Sequence, residues 1–72
     1  MNKYIINRVI NEAKYIIETG DTVRQMSLIF DVSKSTVHKD LHDRLLEIDA
    51  DMYDKVSKIL AYHADIRHIR GG

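Results

Sequence analysis

Apolar residues recur along this chain at three- and four-residue steps, the spacing of one face of an α-helix. Between Lys3 and Thr19 the stripe is Ile6, Val9, Ile10, Ala13, Ile16 and Ile17. Asn2 stands before it as an N-cap candidate, and Gly20 follows it where a left-handed residue ends a helix. A second, short helix opens after Thr22 and carries Val23, Met26, Leu28, Ile29 and Phe30. Asp31-Val32 makes a turn, and Ser33 caps a third helix. There Val37, Leu41 and Leu45 face inward at four-residue spacing, with Leu46 as a further candidate. A fourth helix starts at Asp49 or Asp51 and sets Met52, Val56, Ile59, Leu60, His63 and Ile66 on one side. Proline is absent and glycine occurs only at 20, 71 and 72, so nothing breaks these elements except their own caps. The pattern predicts one all-α domain of about four helices over residues 1–70, ending in a disordered Gly71-Gly72.

The stretch Thr22–Leu41 has the layout of a helix-turn-helix, which needs two short helices crossing steeply about a left-handed turn. Ser27 supplies the small residue at the crossing. Asp31 occupies the turn, and Asp tolerates positive φ better than most side chains. With Val37 and Leu41 buried, Lys34, Ser35, His38, Lys39 and His42 project outward from the third helix, whose first turns enter the major groove in this motif. Lys34 or Lys39 suits guanine O6 and N7, and His38 suits an acceptor on a base edge. Ser33, Thr36, Thr22, Arg24 and the amides at helix N-termini suit phosphate. Asp40 and Asp43 fit this reading only on the side or C-terminal end of the helix, away from phosphate.

Seventy-two residues allow one thin core. With no cysteine, neither a disulfide nor a Cys-ligated zinc can brace it. The apolar runs are too short to span a bilayer, and the first residues lack the apolar segment of a signal peptide. A soluble, intracellular protein is expected. The formal net charge is zero, which makes placement decisive for any polyanion partner. Acidic residues gather at Glu47, Asp49, Asp51 and Asp54, whereas Lys34, Lys39, Arg67 and Arg70 lie elsewhere. Such a bipolar molecule would be oriented as it approaches phosphate.

Several runs together are more specific than the periodicity. They are Tyr15-Ile-Ile-Glu-Thr19, Thr22-Val-Arg24, Val32-Ser-Lys-Ser-Thr-Val-His-Lys-Asp-Leu41, Arg44-Leu45, Tyr62-His63 and Ile66-Arg-His-Ile-Arg-Gly-Gly72. On these the whole chain resembles the stage III sporulation protein D family, transcriptional regulators of endospore-forming bacteria. The resemblance implies a regulator that activates some sporulation genes and represses others in the mother-cell cytoplasm. It also implies binding to double-stranded DNA as a monomer, through the helix-turn-helix and a basic C-terminal region. RNA polymerase at promoters is then a further candidate partner. This sequence departs from the family at Asp31, where glycine is usual, and at Gly72, where members continue into a lysine-rich tail that would add DNA affinity.

Other constellations carry less. Arg67, His68 and Arg70 read either as a backbone or minor-groove contact or as charge that complements a helix C-terminus. The resemblance favours DNA. His38 and His42 lie four apart, but no third ligand is evident, so no metal and no cofactor is expected. His63, on an apolar stripe, reads as a satisfied, partly buried histidine. Ser27, Ser33 and Ser35 have histidines nearby in sequence but no orienting acid and no room for a pocket, so no enzyme is expected. The competing reading is a helical protein-interaction module that has lost strong DNA binding. A monomer is expected because the fourth helix's stripe is needed to close the core, with a dimer left open.

Overall fold

The computed structural model describes the backbone of residues 1–71 and the side chains of residues 1–63. Among these residues four helices and no strand are found. Helix α1 is Lys3–Thr19 and α2 is Val23–Ile29. Helix α3 is one continuous rod over residues 34–48, and α4 is Ala50–Gly71. No helix among the described residues is long and apolar enough to cross a membrane.

The helix ends form for local reasons. Asn2 Oδ1 accepts from the Ile5 amide at 2.9 Å, and Gly20 adopts φ 70° while its amide donates to the Ile16 carbonyl at 2.8 Å. Thr22 Oγ1 and Ser33 Oγ accept from the amides of Gln25 and Thr36, three residues on. Asp49 Oδ1 takes the amides of both Asp51 and Met52, which makes Asp49 the start of α4. Each cap satisfies amides that the first turn leaves without partners.

Among the described residues eight apolar side chains are fully buried, and every helix contributes: Val9, Ala13 and Ile16 from α1, Met26 from α2, Val37, Leu41 and Leu45 from α3, and Val56 from α4. Ile59, Leu60 and Met52 of α4 pack partly buried against this cluster, as expected of their stripe. His63 is half-buried, and its Nε2–H donates to the Gly20 carbonyl at 2.7 Å, tying α4 to the corner between α1 and α2. Tyr15 braces the same corner. Its hydroxyl donates to Asp21 at 2.5 Å and its ring meets Phe30 edge-on.

Two expectations need correction. Leu46 is 51% exposed, because the side of α3 that faces the core is already filled by Leu45 and Ile48. The third helix also runs past Leu45 to Ile48 and contains a wider π turn, Asp40–Arg44, that the pattern did not suggest. The expectations for Ile66, Arg67, His68, Arg70 and the Gly71-Gly72 end lie outside the residues whose side chains are described.

The turn between α2 and α3 rests on Asp31, which sits at φ 55°. Left-handed backbone is tolerated by Gly and Asp and costs a β-branched residue about 1–2 kcal/mol. Asp31→Gly is expected to leave stability within about 0.5 kcal/mol, as easier φ offsets a freer unfolded chain. Asp31→Val should cost about 1–2 kcal/mol in urea unfolding; equal stability of the two variants would show that the turn is not held in this conformation.

Candidate functional site

The first half of α3 divides cleanly into two sides. Val37 and Leu41 are buried, and Lys34, Ser35, His38, Lys39 and His42 are all exposed. The helix starts abruptly because Ser33 both accepts from the Thr36 amide at 3.1 Å and donates to Thr36 Oγ1 at 2.9 Å. Thr36 is therefore half-buried and turned toward its cap, while Ser33 stays exposed. His38 and His42 lie one turn apart with rings nearly parallel, 15° between planes and 5.9 Å between centroids. Among the described residues no group of three or more His, Asp or Glu gathers as a metal site.

Helix α2 precedes this rod. Phe30's amide donates to the Met26 carbonyl at 2.9 Å, and Val32's amide reaches back to the Ser27 carbonyl at 3.1 Å. Ser27 is half-buried, and its hydroxyl is occupied by the Arg24 carbonyl at 2.7 Å. A small side chain that satisfies itself within its own helix leaves room for close approach of the next. Thr22 and Arg24, both exposed, stand at the start of α2. Arg67, His68 and Arg70 fall outside the described side chains.

Charge is graded along α3. Lys34 and Lys39 mark its beginning, while Asp43 and Glu47 are exposed toward its end, followed by Asp51 and Asp54 on α4. Thirteen residues of helix separate Lys34 from Glu47, about 20 Å at 1.5 Å per residue. The separation is graded rather than complete, since Asp43 follows Lys39 by one turn and exposed Lys55 and Lys58 stand near Asp51 and Asp54.

Beneath the exposed face lies a cluster that sequence reasoning missed. Asp40 is wholly buried. Arg8 of α1 grips it with two bonds, Nε to Oδ2 at 2.9 Å and Nη2 to Oδ1 at 3.1 Å, and Arg44 adds Nη1 to Oδ1 at 2.6 Å. Asp40 thus does lie away from any phosphate, but inward rather than on the helix flank. Burial pushes its acidity toward the neutral form, yet the bonds from Arg8 and Arg44, with Glu12 beside them, outweigh this and hold it below the usual carboxylate range.

Glu12 of α1 is equally buried, and no N–H or O–H donor reaches either carboxyl oxygen. Burial first, and the neighbouring Asp40 second, push it up to about 9. A carboxyl raised so far favours its neutral form at neutral pH, which suits a position beside the Asp40 carboxylate. Its position was readable as a stripe position, since it lies three residues after Val9 and four before Ile16. Its charge disguised it.

An all-helical domain that exposes one basic, histidine-bearing helix face is the class that fold and site define. The chain belongs to the stage III sporulation protein D family, whose model matches residues 2–72. It is similar to "Stage III sporulation protein D" of Bacillus subtilis (strain 168), with 56% identity over 72 residues covering 100% of this chain and 77% of that relative.

The two buried acids make opposite contributions to stability. Glu12, raised from 4.5 to about 9, contributes fully below its unfolded value and loses that contribution as pH rises toward 9. Asp40, lowered, contributes above its ordinary 3.8 and loses it on acidification. Between pH 5 and 9 the wild-type protein should lose stability from Glu12 with a slope of up to about 1.4 kcal/mol per pH unit. Glu12→Gln, neutral at every pH and able to donate an amide N–H to Asp40, should flatten that slope. Urea melts at pH 5, 7 and 9 measure it, and parallel profiles for the two proteins would mean that Glu12 is not held protonated.

Proposed function

We propose that this protein is a sequence-specific regulator of sporulation genes that binds double-stranded DNA through a helix-turn-helix formed by α2 and α3. The observation that carries the reading is the division of α3. Lys34, Ser35, His38, Lys39 and His42 are in solvent, and the side chains that anchor the helix, Val37 and Leu41, are in the core. A short polar and basic helix face, free of Glu–Lys pairs and opened by a serine cap, is what a major-groove reader presents.

In this assignment Lys34, His38 and Lys39 donate to base edges. Ser33, Ser35, Thr36 and His42, with Thr22 and Arg24 on α2, flank them and meet phosphate or base. Thr36 contributes chiefly by holding the cap. Arg67, His68 and Arg70 add affinity along the backbone or minor groove. The protein acts as a monomer in the mother-cell cytoplasm, activating some promoters with RNA polymerase and repressing others, without a catalytic role. Membership in the sporulation family and the residue runs that the family resemblance rests on support this role.

One observation favours a second reading, a module that docks a protein partner. Leu28 and Ile29 on α2 are 70% and 52% exposed. Salt dependence separates the two, because phosphate contacts release counterions and affinity then falls steeply with salt. A protein-docking module would show little affinity for duplex DNA even at low salt.

Selection of bound sites from a random duplex pool should enrich one motif. On that motif the Lys34→Ala, His38→Ala double variant is expected to bind about 10- to 100-fold more weakly, since each base contact contributes about 1–3 kcal/mol. Its thermal melt should be unchanged, as both side chains are exposed. Wild-type affinity of the double variant in fluorescence anisotropy would sink the assignment.

A further inference from the structure

The phase of α3 does not follow from its apolar residues alone. In a plain α-helix of 3.6 residues per turn, the eight residues from Val37 to Leu45 overshoot two turns by about 80°. Arg44, seven residues on, would fall within about 20° of Val37 and point into the core. The opposite is found: Leu45 is fully buried and Arg44 stands at the margin, its side chain 25% exposed. The π turn makes the exchange. Across Asp40–Arg44 the Leu45 amide donates to the Asp40 carbonyl, five residues back, and this wider turn takes up the excess rotation. At its entrance the Asp40 amide is shared between the carbonyls of Thr36 and Val37.

The residue that opens the π turn is also the one whose carboxylate is buried between two guanidinium groups and a carboxyl. Arg44 closes the turn and bonds to Asp40. Arg8 comes from α1, so its two bonds refer the turn to the body of the domain, and Glu12 of the same helix is buried one turn further on. Apolar contacts tolerate several rotational settings, whereas a bidentate arginine–carboxylate pair accepts one. Buried ionic groups can select register in this way, even at some cost in stability.

We propose that Asp40 is a positioning residue: with Arg8, Glu12 and Arg44 it locks the π turn and so fixes the rotational setting of the exposed face of residues 34–42 relative to α1. The consequence for DNA rests on the function proposed above; the lock itself does not. Without it, α3 relaxes to a regular helix, Arg44 or its replacement turns inward, and the residues before the turn are rotated relative to those after it.

The lock has a direct spectroscopic signature in the 72-residue protein. Scalar coupling through the hydrogen bond should link the Asp40 carbonyl carbon to the Leu45 amide nitrogen in the wild type, not to that of Arg44. Two variants test the cause. Arg44→Met removes one arm and leaves the Arg8–Asp40 pair intact, so the fold is retained. The combination Arg8→Met, Glu12→Met, Asp40→Leu and Arg44→Met replaces the whole cluster with apolar volume, which a core accepts more readily than a broken ion pair. The coupling is expected to weaken in the first and to move to the residue-44 amide in the second, with at least a tenfold loss of affinity for the selected DNA site. An unchanged coupling to Leu45 in both, or in Arg44→Met if the quadruple variant does not fold, overturns the lock. A moved coupling with wild-type affinity overturns the positioning role. If the wild type selects no DNA site, the proposed function fails while the coupling still decides the lock.

Discussion

A carboxylate with no access to water is the constraint around which this small domain is arranged. Asp40 can be buried only because Arg8 crosses from α1 to meet it with two bonds and Arg44 folds back along α3 to supply a third. Leaving such a charge unpaired in the interior would cost several kcal/mol, so the two helices are held at the distance and angle that keep the pairs intact. Glu12 completes the site by remaining neutral. Were it ionised, two adjacent carboxylates would share one dry space, and burial and repulsion together account for its reluctance to lose the proton.

The exposed face of α3 depends on what is buried behind it. Val37 and Leu41 join the helix to the core that Val9, Ala13, Ile16 and Met26 share, and the Ser33 cap fixes where it begins. Lys34 and Lys39 are then free to lie in water, with Asp43 about one turn beyond Lys39 and Glu47 a further turn on. A net charge of zero hides this separation, because the sum over the chain says nothing about where each sign is placed. The exposed Lys58–Asp54 pair, 3.1 Å apart on α4, adds little by comparison, since both groups are well solvated.

Caps and turns were legible in the sequence because each is a local decision. Asn2, Gly20, Thr22, Asp31 and Ser33 all sit where their side chains or backbone freedom are needed, and all adopt the expected roles. The inward set Val37, Leu41 and Leu45 was legible for the same reason, as was His63, an imidazole on an apolar stripe that finds a carbonyl. What escaped was non-local. Glu12 falls on the stripe of α1, but nothing within α1 shows that a carboxylate on α3, 28 positions later in the chain, waits beside it. Leu46 was misplaced because it is apolar and adjoins Leu45, although a helix turns about 100° between neighbours and carries it away from the side that Leu45 and Ile48 fill.

A thin core also explains why an ionic cluster should serve where packing serves elsewhere. In a large domain a helix is held in phase by many interlocking side chains, and a small rotation is resisted all along its length. Here α3 contributes three fully buried apolar residues, and two of them, Leu41 and Leu45, lie within or beside the π turn whose form is in question. Hydrogen-bond geometry is steeper than van der Waals contact in distance and angle, so one bidentate pair discriminates between settings that three aliphatic side chains do not. The arrangement gives up some stability at alkaline pH through Glu12, and what it retains in exchange is a single orientation for the exposed face of residues 34–42.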